Sequence, residues 1–373
     1  MTSSITIQAG QGALKHLRER GLSAQDIAVV PAAAGGPKGL ILQALDQWLF
    51  GTWLPSAPRH RSFIGASIGS WRMAAACHAD PHAAFQYLGD LYCEQRYPRK
   101  PSSKQVTDEV AGILHNFMQG RAGEVLSHPW HHLHIVTSRG RGALAAPHSA
   151  LQNKLGFGKA ALANGWRRQS LSNYMERVIF SDPRQALPWL VTPFDNFDTE
   201  FSALHADNLE AALLASGTLP LVMDAVTGIP HAGGGMYWDG GIVDYHLAYP
   251  YQRLNDSETD TKNDKSELVL YPHFTDHIVP GWLDKALKWR HVGRGKPNLD
   301  VDNVILVSPS PAFLQTIPRG KLPDRQDFFH YDLDHAARIK NWKIAMSEAQ
   351  RLRDDLAAFV ANPLAATILP LNA

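Results

Sequence analysis

RSFIGASIGSWRMAAAC, residues 61–77, decides the fold. Arg61 to Gly65 is a short apolar run, and Ser70 to Cys77 is alanine-rich and reads as a helix. Between them Gly65-Ala66-Ser67-Ile68-Gly69 spells G-x-S-x-G, the strand–turn–helix elbow that presents a serine on a tight turn. Upstream, Asp26 to Pro31 (DIAVVP) is a second buried-strand candidate, followed by the small-residue loop AAAGGPKG and by apolar residues at helical spacing over Leu40 to Phe50. Strand, loop, helix, strand, elbow, helix is a βαβ unit with parallel strands, which places the chain in the α/β class.

The rest of the chain is consistent with that class. Strands are expected at His132–Thr137, Leu268–Pro272 and Asn303–Ser308, and helices at Asp207–Ser216 and His335–Phe359. The mixed stretch Ala150–Leu190 suits a cap or helical insertion, within a broader cap region around 80–200. The polar run Asn255–Glu267 suits an exposed loop. At 373 residues, 45% hydrophobic and 19% charged, the chain is an ordinary folded protein of one large domain or two small ones. Thirty-six basic against 35 acidic side chains leave no basic excess for nucleic acid. Two cysteines, Cys77 and Cys93, do not make a disulfide framework and read as free thiols in a reducing compartment. The first residues become charged at once without an apolar signal region, and no run approaches the roughly 18 apolar residues of a spanning helix. The expectation is a soluble cytoplasmic protein, with peripheral membrane contact and oligomeric state left open.

An elbow serine needs a base and donors for an oxyanion. In an α/β-hydrolase several strands precede the elbow and a histidine closes the triad. Here one βα unit precedes Ser67, a poor fit, although 18 histidines keep a Ser–His–Asp arrangement in play. Gly35-Gly36 ends the first strand directly before a helix. Parallel neighbours bring that loop beside the elbow, where its N–H groups can hold an oxyanion; a plain strand-to-helix turn or a phosphate loop are the other readings. Late in the chain, GGGMYWDGGIVDYH (233–246) sets Asp239 before two glycines. Such a turn presents a carboxylate at a strand end, or merely caps its own backbone.

Taken together, the three motifs resemble the patatin-like phospholipase family, in the family's order and over roughly residues 26–77 and 200–246. The glycine-rich G-G-G-x-[KR]-G motif matches Ala34-Gly35-Gly36-Pro37-Lys38-Gly39, the elbow matches Gly65 to Gly69, and D-G-[GA] matches Asp239-Gly240-Gly241. AALLASGTLPLVM (211–223) matches the family's A-S-x-x-x-P stretch through Ser216 and Pro220. The resemblance implies a single domain built as a three-layer α/β/α sandwich with a mostly parallel sheet, ending in a helical extension around 335–373. It implies a lipid acyl hydrolase with a Ser–Asp dyad: Ser67 as nucleophile, Asp239 as base, and no cofactor. Ala34 replaces the first glycine and Pro37 has no N–H, so the oxyanion donors fall to Gly35, Gly36 or Lys38, with Ile68 after the nucleophile. Lys38 is placed either on an anionic head group or in a structural pair.

Two further stretches carry other readings. SHPWHHLHIV (127–136) clusters His128, His131, His132 and His134. Without a matching H-E-x-x-H or cysteine pair, surface or sheet-edge histidines are expected and no metal site. GWLDKALKWRHVGRGK (281–296) is basic and amphipathic at helical spacing, either a membrane-surface helix or a helix burying Trp282 and Trp289 against the core; the second is preferred. The competing functions are an acyltransferase using the same dyad, a Ser–His–Asp esterase, and a catalytically silent lipid-binding protein. The partner expected in each is a lipid or small ester.

Overall fold

The computed structural model describes residues 3–146, 150–255, 267–292 and 299–371. Ten strands form one sheet: β1 (Ile5–Ala9), β2 (Ile27–Ala32), β3 (Arg61–Ala66), β4 (His131–Gly140), β5 (Met175–Ser181), β6 (Thr199–Ala203), β7 (Tyr237–Asp239), β8 (Leu268–Pro272), β9 (Val304–Pro309) and β10 (Ile368–Pro370). Their spatial order is β10-β1-β9-β8-β2-β3-β4-β5-β6, with β7 paired to β4. Strands β9, β8, β2, β3 and β4 run parallel at the centre. Between the ten strands, antiparallel pairings appear only where β1 meets β9 and where β5 and β7 meet β4, among the described residues. Helices cover both faces, so the architecture is a three-layer α/β/α fold. The central strands are apolar without alternation because both of their faces are covered. Every residue of β2, β3, β8 and β9 is buried.

From β2 the chain steps outward through β3 to β4, whereas β8 and β9 lie on the other side of β2. A crevice opens outside the carboxyl ends of strands at such a reversal. Two glycines close the elbow at this point. A Cβ on Gly65 would lie 2.5 Å from the Gly69 carbonyl, and one on Gly69 would lie 2.0 Å from the Ala32 oxygen. The helix Ile68–Ala76 therefore crosses β2 and β3 closer than any side chain permits. Behind it, Arg72 and Asp46 form a buried two-point ion pair, 2.7 and 2.8 Å, which locks this helix to Gln43–Trp48.

Three expectations change here. Residues 80–200, expected to hold a cap or insertion, contribute β4 and β5 to the central sheet, alongside the helices Pro81–Cys93, Ser103–Met118 and Ala150–Trp166. Strand β5 hid behind Arg177, a charged letter mid-strand. Its guanidinium is fully buried, paired with Asp244 (2.6 and 2.8 Å) and Asp195 (2.7 Å), and packed on Phe194. The C-terminal stretch forms two helices, His335–Glu348 and Gln350–Ala361, and then returns to the sheet as β10 beside β1. Finally, 281–292 is not one helix but two single 3₁₀ turns, Trp282–Asp284 and Lys288–Arg290. The buried Asp284 carboxylate accepts from the Gly281 N–H, Asn164, Arg168 and Arg290, and this knot sets the path. Trp282 packs partly against the core but Trp289 is 75% exposed, so the expected burial of both fails. Residues 256–266 of the expected loop, and Arg294 and Lys296, lie outside the described residues. No helix among the described residues is long and apolar enough to cross a membrane.

Candidate active site

Ser67 follows β3 directly and takes φ +55°, ψ −131°. A non-glycine residue in that region carries strain of order 1–3 kcal/mol, which surrounding contacts must hold in place. Ser216 supplies one of them. Its Oγ accepts the Ser67 N–H at 2.8 Å and donates to the Val136 carbonyl at 2.7 Å, tying the elbow to β4. The Ser67 N–H is thereby committed. The next N–H, that of Ile68 at the helix start, has no acceptor among the described residues.

Asp239 ends β7, opposite Thr137 of β4. Its own N–H donates to the Thr218 carbonyl at 2.8 Å, and its Oδ1 accepts the Gly241 N–H at 2.7 Å. Burial raises the carboxyl above the usual carboxylate range. The Arg325 charge, the Ser67 hydroxyl, the Gly241 N–H and the Lys285 charge each oppose that rise. The Ser67 hydroxyl is near enough to Asp239 to favour the ionised carboxylate. Catalytic contacts commonly tighten only around substrate. No histidine lines the polar cavity that the two share, among the described residues.

The glycine-rich loop faces them. Gly36 has φ +57°, which favours glycine, and a Cβ there would stand 3.1 Å from the Arg325 Nε. Gly35 is extended; a Cβ on it would run into the Phe274 ring at 2.5 Å. Neither N–H has an acceptor among the described residues. Ala34 keeps its methyl because Gly241 opposite has none: a Cβ on Gly241 would lie 2.7 Å from that of Ala34. The Ala34 N–H also donates to the Tyr245 carbonyl at 2.8 Å, binding this loop to the segment after Asp239.

Two cavities meet at Ser67. A polar one of about 200 Å³ is lined by Gly35, Lys38, Ser67, Asp239, Lys285 and Arg325, among others. An apolar one of about 510 Å³ runs past Ile68, Trp71, Val106, Ile113 and Met223 to the exposed Phe329. Lys38 lies with its Nζ 5.4 Å from the Phe274 ring centre, and burial lowers its pKa. Lys285 is exposed as a residue, but its ammonium turns inward, 4.1 Å from the ring centre of buried Tyr245. Burial there, reinforced by the charges of Lys38 and Arg325 and opposed by Asp239, pushes the Lys285 pKa down to about 7.

Of the residues singled out from sequence, Ser67, Asp239, Gly35 and Lys38 line one cavity, Ile68 lines the other, and Gly36 stands against Arg325 behind them. Lys285 and Arg325 were missed as site residues. Lys285 sat in a stretch read as one helix, and Arg325 carries no motif at all.

The histidine cluster behaves otherwise. His131, His132 and His134 are buried within the central strand β4, not at the surface or a sheet edge. His132 instead bridges Asp182 (3.2 Å) and His60 (2.8 Å). No group of three metal-ligating side chains converges among the described residues.

No protein-family model matches the chain, and no curated protein does. Among solved structures it is similar to VipD from Legionella pneumophila, at 14% identity over 94% of this chain and 70% of that one, with a TM-score of 0.36. It is also similar to human GIVD cytosolic phospholipase A2, at 11% identity over 95% of this chain and 62% of that one, again with a TM-score of 0.36. Likenesses this distant carry no inference about activity, which rests on the geometry of the chain itself.

Proposed function

We propose that the protein is a serine acyl hydrolase of the patatin-like type, cleaving carboxylic esters of lipids through a Ser67–Asp239 dyad. The observation that carries this is a strained serine facing a buried carboxylate where a polar and an apolar cavity meet. A hydroxyl is a weak nucleophile until a neighbouring base takes its proton. Burial makes the Asp239 carboxylate a stronger base than a solvated one. The Ser67 Oγ adds to the ester carbonyl carbon while its proton passes to Asp239. The N–H groups of Ile68 and Gly35, with Gly36 beside them, receive the carbonyl oxygen as it gains charge. Collapse breaks the bond to the alcohol, which leaves with the proton from Asp239, and an acyl-Ser67 ester remains. Water then repeats the sequence, giving up its proton to Asp239 and releasing the carboxylic acid and Ser67. No metal or organic cofactor enters these steps. The apolar cavity suits the acyl chain, so the substrate class is a lipid or small acyl ester.

Labelling by a fluorophosphonate tests the assignment, because the reagent needs an activated serine. The wild-type chain is expected to label at Ser67, and Ser67→Ala to fold normally while losing both labelling and ester hydrolysis. Labelling that persists at another serine rejects Ser67 as the nucleophile.

A further inference from the structure

The excursion between β4 and β5 carries a surface that the acyl-transfer steps do not use. Gly140 and Met175 are paired neighbours, so residues 141–174 leave and rejoin the sheet at one end. That is the end at which β3 delivers Ser67, because β3 and β4 are parallel. Within the excursion lies the helix Ala150–Trp166. Its inner face is small and closely packed: Gly156, Ala160 and Asn164 are buried, and a Cβ on Gly156 would stand 2.7 Å from the Leu144 side chain. Its large apolar side chains point the other way. Leu151, Leu155, Leu162 and Trp166 are 67%, 58%, 78% and 85% exposed. At about 100° per residue the four fall within about 60° of the helix circumference, so they make one stripe. Single exposed leucines are ordinary, but a contiguous apolar stripe marks an interaction surface.

The charges around the stripe indicate what covers it. Lys154 and Lys159 flank it on either side, and Arg167 follows Trp166; all three are exposed. Residues 141–174 contain no Asp or Glu. The Arg290 guanidinium donates to the Asn164 carbonyl at 2.8 Å, which brings exposed Lys288 and Trp289 to the end of the helix that holds Trp166. A second copy of the chain suits this face poorly. The stripe is symmetric about Gly158 and Lys159, so a twofold pairing would set the two Lys159 ammonium groups against each other near the axis, with no acid in either helix to offset them. A lipid surface rich in anionic head groups meets both features at once. It takes leucine and tryptophan into its apolar layer and holds lysine and arginine at its charged rim. We propose that the helix Ala150–Trp166 lies on an anionic lipid bilayer, seated through Leu151, Leu155, Leu162 and Trp166 and held by Lys154, Lys159 and Arg167. The docking does not rest on the acyl hydrolase reading. The buried Asp284 carboxylate, which accepts from Asn164 at 2.9 Å and from Arg168 at 2.9 Å, joins this helix to the segment whose Trp282 and Lys285 line the cavity at Ser67.

Co-sedimentation with vesicles tests the seat without any turnover. One set of vesicles is phosphatidylcholine alone, and the other is equal parts phosphatidylcholine and phosphatidylglycerol, both at low salt. The wild type is expected to bind the anionic vesicles about tenfold or more tightly than the neutral ones, the range set by several basic residues at a charged membrane. Leu155→Gln combined with Leu162→Gln is expected to weaken that binding about tenfold or more. The thermal midpoint and fluorophosphonate labelling should match the wild type, because both side chains are exposed. Lys154→Gln combined with Lys159→Gln should keep the binding to neutral vesicles and lose most of the anionic preference. A wild type that does not sediment with anionic vesicles, or a folded leucine variant that binds them as the wild type does, overturns the inference. So does a concentration-dependent dimer that the leucine variant abolishes while the wild type ignores vesicles, which assigns the stripe to a second copy. Should the leucine variant misfold, the lysine variant decides, and an unchanged anionic preference in it overturns the inference. A wild type that binds anionic vesicles but never labels with fluorophosphonate fails the hydrolase reading and leaves the docking standing.

Discussion

The two ends of the central sheet are both crowded with titratable groups, and they use them in opposite ways. At the carboxyl ends of β2 and β3, Lys38, Lys285 and Arg325 stand around open space without ion-pair partners among the described residues, beside Ser67 and Asp239. At the amino ends of β3 and β4, most of these groups are consumed internally, although neither ring nitrogen of buried His134 has a hydrogen-bond partner among the described residues. His128 stacks on His131 with ring centres 4.1 Å apart, and its Nδ1 accepts the His131 N–H. His131 reaches the Ala76 carbonyl at the far end of the elbow helix. His132 and Arg184 both bind Asp182; its burial would raise that carboxyl, but their hydrogen bonds outweigh burial and hold it well below the carboxylate range. Burial pushes His131 down to about 2 and His134 to about 3, so both are neutral in the fold. Strongly shifted titration therefore occurs at both ends and does not by itself mark the functional one. What marks it is an unmet charge facing a cavity.

The comparison is sharpest at Asp239. Asp239→Asn keeps the side-chain shape and an oxygen for the Gly241 N–H, but it removes the proton affinity. Ester turnover is expected to fall about 100-fold or more with the thermal midpoint little changed. Full activity in the variant, or a histidine whose alanine variant is as inactive as Ser67→Ala, breaks the assignment of function to this end. A smaller effect is expected at Ser216, which serves the elbow without touching substrate. Ser216→Ala leaves the Ser67 N–H and the Val136 carbonyl without their present partner, and about 1–3 kcal/mol of stability should be lost in urea unfolding. An unchanged midpoint would mean that the strained turn holds itself.

The smallest effect belongs to the other end. A histidine whose folded pKa lies below its unfolded value of about 6.5 has no influence above that pH. Below it, only the unfolded chain takes up the proton, so stability falls as pH drops, by up to about 1.4 kcal/mol per pH unit for each such histidine. This continues toward the folded values of about 3 for His134 and about 2 for His131. Urea midpoints between pH 6.5 and 4.5 should therefore decline, and His134→Leu should flatten the decline by about one proton while leaving ester hydrolysis intact. A variant with the same slope as wild type would show that His134 is not held neutral.

Legibility in the sequence followed the range over which each constraint acts. The elbow, the Gly35-Gly36 loop and the Asp239 turn are set by local backbone demands, so they appear as short motifs. Strand β5 was hidden because Arg177 is neutralised by Asp195 and Asp244, which are distant in sequence. The 281–292 segment carries helical spacing, but the buried Asp284 knot overrides it with partners from Asn164 and Arg168. Lys285 and Arg325 reach the cavity from segments whose only shared property is where the fold puts them.

The elbow holds two kinds of information in five residues. Gly65 and Gly69 are fixed by a backbone crossing that admits no Cβ, whatever reaction the protein performs. On the proposed function, Ser67 is fixed by chemistry alone. If that proposal holds, a descendant that lost catalysis but kept this sheet would shed the serine and retain both glycines, so among relatives the glycines would trace ancestry and the letter between them would record whether catalysis persists.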